Sequence, residues 1–255
     1  MAGTRVGPRT GGLALSFERG DTAKNRLKVD WVHPIPPARD LARTDAVGPL
    51  PLDEAFATLW EHDQRPLLVL RECPGCQDGD DALLTRSLDN ERTMLLTKWF
   101  RTVRLPAHAA EPSHPFYGVF ASNTFPNGLP HFFLLAHPGA QAVKFTGQQT
   151  QAQLHKGMLD VLGQRYAKDA TKAVKQWLSI LDTFDMLDGR QRQLTEQLDA
   201  VRAAEGPQST KAMSLTAELA KIATEREATL ARESKVRDLG LLPMPSSTAT
   251  VAAAK

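Results

Sequence analysis

From Leu52 the apolar positions fall three and four apart. Leu52, Ala55, Phe56, Leu59 and Trp60 line one face of a helix, and Asp53 and Glu54 occupy its first turn, where the macrodipole favours acid. The period then changes. Arg65-Pro66 leads into Leu67, Leu68, Val69 and Leu70, an unbroken apolar run that fits a strand buried on both faces. A helical piece over 91–99 runs into Phe100, Val103 and Leu105, a predicted strand. Residues 106–128 carry Pro106, Pro112, Pro115 and Pro126 and read as a long loop, in which Phe116, Tyr117 and Phe120 fit a short helix. Pro130 opens a strand over 131–135, a position where proline is tolerated. His137-Pro138-Gly139 signals a turn, Ala142, Val143, Lys144 and Phe145 return, and Gly147 ends the strand. Leu154, Met158, Leu162 and Tyr166 then share one face of a helix over 151–166.

Beyond Tyr166 the period stays helical. Trp177, Ile180, Phe184, Leu187, Leu194, Leu198 and Val201 form a heptad seam of about three and a half repeats, interrupted at Gln191. Gly206-Pro207 breaks it, because proline cannot continue a helix and glycine readily adopts a positive-φ cap. Ser209 is placed to cap a second helix. Leu215, Leu219 and Ile222 repeat the spacing, while Arg226 and Thr229 fall on the seam and Leu230 lies off it. The pattern predicts an antiparallel helical hairpin over about 169–204 and 209–239, with arms of roughly 45–55 Å. Its seam is expected to face the returning helix or a second chain. Pro243 and Pro245 end the helical region.

The first 50 residues are rich in Gly, Pro and Arg. Leu13, Leu15 and Phe17 alternate with small or polar residues, as do Leu27, Val29 and Trp31, with Gly20 and Asp21 between the two pieces. The alternation fits a loose hairpin or two strands that pair elsewhere, within an arm expected to be partly disordered. His33-Pro34-Ile35-Pro36-Pro37 imposes an extended path.

A chain of 255 residues allows one or two domains, and its formal net charge of +2 argues for neither nucleic acid nor a membrane surface. No apolar run reaches the length of a membrane span. Arg5 and Arg9 have no apolar segment behind them, so no signal peptide is expected, and the compartment expected is the cytoplasm.

The candidate chemistry lies in Cys73-Pro74-Gly75-Cys76, which holds both of the chain's 2 cysteines. The pair sits where the 67–70 strand gives way to polar residues that read as the first turns of a helix reaching about Ser87. In a chain without a secretory signal this favours a redox dithiol over a structural staple. A thiol at a helix N-terminus lies near unpaired N–H groups and the positive end of the dipole; both favour the thiolate, which is the nucleophile. Pro74 suits the first helical turn. Glu72, Asp78, Asp80 and Asp81 oppose this by placing negative charge nearby. Two other readings stand beside the redox one. Structural zinc would need two of the 7 histidines, none paired at knuckle spacing, and a CxxC can also be present without being used in turnover. No metal or cofactor is expected.

The order of helix, buried strand, CxxC at the head of a helix, strand, Pro-headed strand, glycine turn, strand and closing helix resembles that of thioredoxin-like proteins over about residues 50–166. The resemblance implies a central mixed sheet with helices on both faces, Cys73 as the attacking thiol and Cys76 as the resolving one. It also implies that Pro130 is cis and packs beside the pair, so that Pro74, Gly75, Leu129 and Pro130 shape a substrate groove. Two positions depart from the family pattern: Glu72 stands where a Trp usually precedes the first cysteine, and Leu67–Leu70 contain no buried Asp. His131, just after Pro130, reads either as a strand residue facing away or as a proton shuttle.

These readings divide the chain into an arm (1–49), a thioredoxin-like α/β domain (50–166), a coiled-coil helical hairpin (167–240) and a tail (241–255) expected to be disordered. Two function classes follow. One is a thiol–disulfide oxidoreductase acting on protein disulfides. The other is a binding or structural protein whose body and arm assemble with a partner, as a homodimer or a hetero-assembly through the hairpin.

Overall fold

The computed structural model describes residues 19–35, 48–61, 63–72, 83–84, 90–120 and 130–245. Among them are β1 (Leu67–Arg71), β2 (Arg101–Leu105), β3 (Phe132–Leu135) and β4 (Val143–Phe145) in one sheet of order β2-β1-β3-β4. β1 runs parallel to β2 and antiparallel to β3, and β3 is antiparallel to β4, so the sheet is mixed. The parallel pair needs a crossover connection, and α3 (Glu91–Thr97) lies on it. The helix ends two residues before the expected 99; Trp99 and Phe100 are instead buried in the approach to β2.

Leu67–Leu70 and Phe132–Leu135 are buried on both faces, which is why their sequences show no alternation. The pleat still sorts them. Leu68, Leu70, Phe132 and Leu134 join a core built with α3, α5 (Gln151–Arg165) and the start of α6 (Ala170–Glu205). Leu67, Val69, Phe133 and Leu135 join a second core under α2 (Leu52–Trp60) and α4 (Tyr117–Phe120). The fold is therefore mixed α/β with helices on both faces of a four-stranded sheet. α5 opens with a capping box, in which Thr150 and Gln153 each satisfy the other's backbone N–H.

α6 and α7 (Thr210–Arg237) are the two long C-terminal helices, joined through Gly206, where φ is +89°, and capped at Asp169 and Ser209 by side chains that accept backbone N–H groups. They pack antiparallel. Trp177 meets Glu233 near the base, Leu187 and Leu194 pack with Ile222, and Leu198 and Val201 pack with Ala212 near the turn. The seam divides. Leu187 to Val201 face α7 as expected, whereas Trp177, Ile180 and Phe184 belong to the same core as Leu68 and Leu95, so the base of the hairpin is part of the body. Two of the polar residues that broke the heptad pattern, Arg226 and Gln191, meet each other: Arg226 donates to Gln191 at 2.9 Å and to Asp188 at 2.6 Å.

The segment before α2 departs from the sequence expectation. Gly20-Asp21 does not turn between strands; residues Asp21–Arg26 form α1, with Asp21 in its first turn, Lys24 and Arg26 in its last, and Ala23 buried. Arg19 anchors it, donating to Glu91 at 2.6 Å and to Asp182 and Asp185 of α6 at 2.6 and 2.7 Å. The guanidinium of Arg26 pairs with Glu233 at 2.8 Å and lies 4.0 Å from the Phe184 ring centroid. Of the second alternating piece, Val32 alone makes a bridge, parallel to Val103, which covers the outer edge of β2. Leu13, Leu15 and Phe17 lie outside the described residues. After α7 the chain returns along the end of α5: Leu242 N donates to the Arg165 carbonyl, and Arg165 donates through Nη1 to the Pro243 carbonyl at 2.9 Å.

Candidate functional site

β1 carries the chain to Cys73. Its hydrogen bonding continues past Arg71: the Arg71 N–H donates to the His131 carbonyl and the Glu72 N–H to the Leu105 carbonyl, both at 2.9 Å. The β1–β3 register pairs Leu70 with Phe132. Continued by two residues, it sets Glu72 opposite Pro130, which is buried. Thus the residue covalently before Cys73 is held between the end of β2 and the head of β3. Cys73, Pro74, Gly75, Cys76 and Leu129 themselves lie outside the described residues, as does the Leu129–Pro130 bond that the cis expectation concerns. After the pair, Leu83 is buried in the core that holds Leu68 and Leu70, and Leu84 packs against it.

His131 is fixed through its backbone: its N–H donates to the Phe145 carbonyl at 2.9 Å. Its ring lies against Gly147, where a Cβ would fall 3.3 Å from Cδ2, and the positive φ of +89° there also favours glycine.

Charge at this end of β1 is compensated. Glu72 does not stand alone before Cys73: Arg104 of β2 donates to its carboxylate at 3.0 Å, with side-chain exposures of 22 % for Arg104 and 41 % for Glu72. The Arg104 guanidinium also lies 5.9 Å from the Trp31 ring centroid. Arg71, two residues before Cys73, and Arg92, in the first turn of α3, each bury an Nε with no hydrogen-bond partner among the described residues. Arg71 and Arg104 are thus the cations beside Glu72 among the described side chains at the end of β1.

The missing strand carboxylate has no substitute in the described core. Glu233 is the buried acid there, and it is engaged by Trp177 Nε1 at 3.2 Å and by Arg26. Among the described residues, no three His, Cys, Asp or Glu side chains gather as a metal site would require. Arg104 was not singled out by the sequence, because its partner is 32 positions away and only the parallel pairing of β1 and β2 brings them together.

Comparison with protein-family models, with curated proteins and with solved structures finds no match. No helix among the described residues is long and apolar enough to cross a membrane.

Proposed function

We propose that the protein is a thiol–disulfide oxidoreductase with a thioredoxin-like body, acting on protein disulfides. The observation that carries the reading is the pairing of the end of β1 with the head of β3, which sets Glu72, next to Cys73, across from buried Pro130. The mixed sheet with helices on both faces is the arrangement the resemblance implies, and it supports the same reading. In the reaction, the Cys73 thiolate attacks one sulfur of a substrate disulfide, forming a mixed disulfide and expelling the other sulfur as a thiolate. Cys76 then gives up its proton and attacks the Cys73 sulfur. The substrate leaves as a dithiol, and Cys73–Cys76 is left oxidised. A thiol reductant must return two electrons before the next cycle, which suits a cytoplasmic setting. Arg71 and Arg104 favour the Cys73 thiolate, offsetting Glu72.

A second reading has its own support. Glu72 in place of Trp and the lack of a spare buried carboxylate favour a binding protein in which the pair does not turn over, with the body and the coiled-coil hairpin assembling with a protein partner or a second copy.

A redox titration of the Cys73–Cys76 pair, with insulin reduction as the rate assay, decides between them. The oxidoreductase reading expects one two-electron transition and insulin reduction that is lost in Cys73→Ser. A reversible transition with no insulin reduction above the thiol background would favour the binding protein.

A further inference from the structure

The chain between β2 and α4 carries two histidines. His108 lies in a short helical turn over Ala107–Ala110, and His114 lies three residues before α4. Their rings meet edge to face with 4.9 Å between centroids. His108 is exposed and His114 half-buried. Backbone bonds put His114 at the junction of two turns: its N–H donates to the Glu111 carbonyl and its carbonyl accepts the Tyr117 N–H, both at 2.9 Å.

The His114 ring closes a bond of its own. Its Nδ1 accepts the Phe116 N–H at 3.1 Å. An imidazole nitrogen accepts only through a free lone pair, so this ring is neutral with its proton on Nε2. The residues it holds tie the chain down. The Phe116 side chain is buried with Leu50, Ala109 and Val119 in the core under α2 and α4, and the Pro115 carbonyl accepts the Leu50 N–H at 2.8 Å. A second proton on His114 turns Nδ1 into a donor. The Phe116 N–H then faces another N–H, and a cation stands against the His108 ring. The surroundings resist that proton: burial first, then His108, hold the imidazole below its ordinary value, and Glu111 opposes them. α2, which packs on α4, has Asp53 and Glu54 in its first turn, and neither is among the described groups that act on His114.

We propose that His114 is a pH-operated latch. Neutral, it pins the chain over 107–117 to the second core through the Phe116 N–H; protonated, it lets that chain go. The latch uses none of the residues assigned to the Cys73 chemistry and works whether or not the cysteine pair turns over. A histidine that takes its proton less readily folded than unfolded stabilises the closed chain fully above the unfolded value, about 6.5, and that contribution is lost as pH falls through the folded value.

The test is hydrogen exchange on the full-length protein, read by mass spectrometry at about pH 7.5 and about pH 5, with the intrinsic pH dependence of exchange divided out. Relative to β1 and β3, protection over 107–120 should fall roughly threefold or more at the lower pH. His114→Asn offers an amide oxygen that accepts the Phe116 N–H at either pH, and its protection should hold. His108→Gln removes the imidazole beside the new charge and should show a smaller loss than the parent. Urea midpoints at the higher pH verify that both variants fold. The parent alone gives a second reading: in proton NMR, His114 should titrate below about 6.5, at the pH where the loss levels off. Equal protection at both pH values in the parent overturns the proposal. So does a loss in folded His114→Asn as large as the parent's, or a His114 titration at or above the ordinary value.

Discussion

Arg104 reaches across from β2 to hold the Glu72 carboxylate at 3.0 Å, one residue before Cys73. The pair converts an unfavourable neighbour of a thiolate into a neutral one. In a Cys76→Ser background, Arg104→Gln should slow Cys73 alkylation at pH 7 by roughly three- to tenfold, the effect of a unit charge several ångströms away at intermediate dielectric. Glu72→Gln should speed it. The rate-against-pH curve should shift up in the first variant and down in the second, and equal curves in all three proteins would remove the electrostatic role of the pair.

Reduced protein should be alkylated at Cys73 well before Cys76. The first cysteine follows directly on the hydrogen-bonded end of β1, and Leu83, beyond the second, is already in the core. Peptide mapping after a short pulse of iodoacetamide reads the order. Faster labelling of Cys76 would reverse the assignment of attacking and resolving thiols.

The hairpin is anchored at its base and free at its tip. Truncation after Tyr166 removes Trp177, Ile180, Leu181 and Phe184 from the main core and should leave an unfolded chain. Phe184→Ala alone should cost about 3–5 kcal/mol. Deleting only the distal turns, about 192–220, and closing the gap with a short glycine linker should leave the body folded. If the distal hairpin is an assembly device, sedimentation of this shortened protein should show the loss of the dimer or partner; an unchanged monomeric mass in both proteins would reduce it to a spacer.

Burial pushes the Asp188 carboxyl up, but the hydrogen bonds from Arg226 and Thr22 outweigh it and hold the group below the usual carboxylate range. A depressed folded pKa adds stability that is complete above the unfolded value, about 3.9, and is lost as pH falls through the folded value. Urea midpoints at pH 6 and pH 3 should therefore differ less in Asp188→Asn than in the parent. Equal differences would mean the pair contributes nothing to acid sensitivity.

Three helical glycines give opposite expectations. At Gly163 and Gly189 an added Cβ meets nothing within 4 Å, so alanine should stabilise by up to about 1 kcal/mol through helix propensity. At Gly157 it would fall 2.7 Å from Phe145 Cζ. That ring is stacked on Phe132 with 4.7 Å between centroids, a contact that its retreat would disturb. Gly157→Ala should destabilise by about 1–3 kcal/mol despite the same propensity gain. Thermal melts of the three variants check the contrast.

Local pattern carried most elements of this fold. The 52–60 helix, the buried 67–70 run, the Pro-headed third strand and the break at Gly206-Pro207 were legible, because periodicity, caps and proline act within a turn or two of chain. Cys73 and Cys76 were legible as a motif for the same reason. Long-range packing decided the rest. Residues 21–26 became a helix because Arg19 and Arg26 find acids on α3, α6 and α7, up to 207 positions away. The heptad seam, uniform in sequence, divides between body and arm because the sheet's face is within reach of its first turns alone.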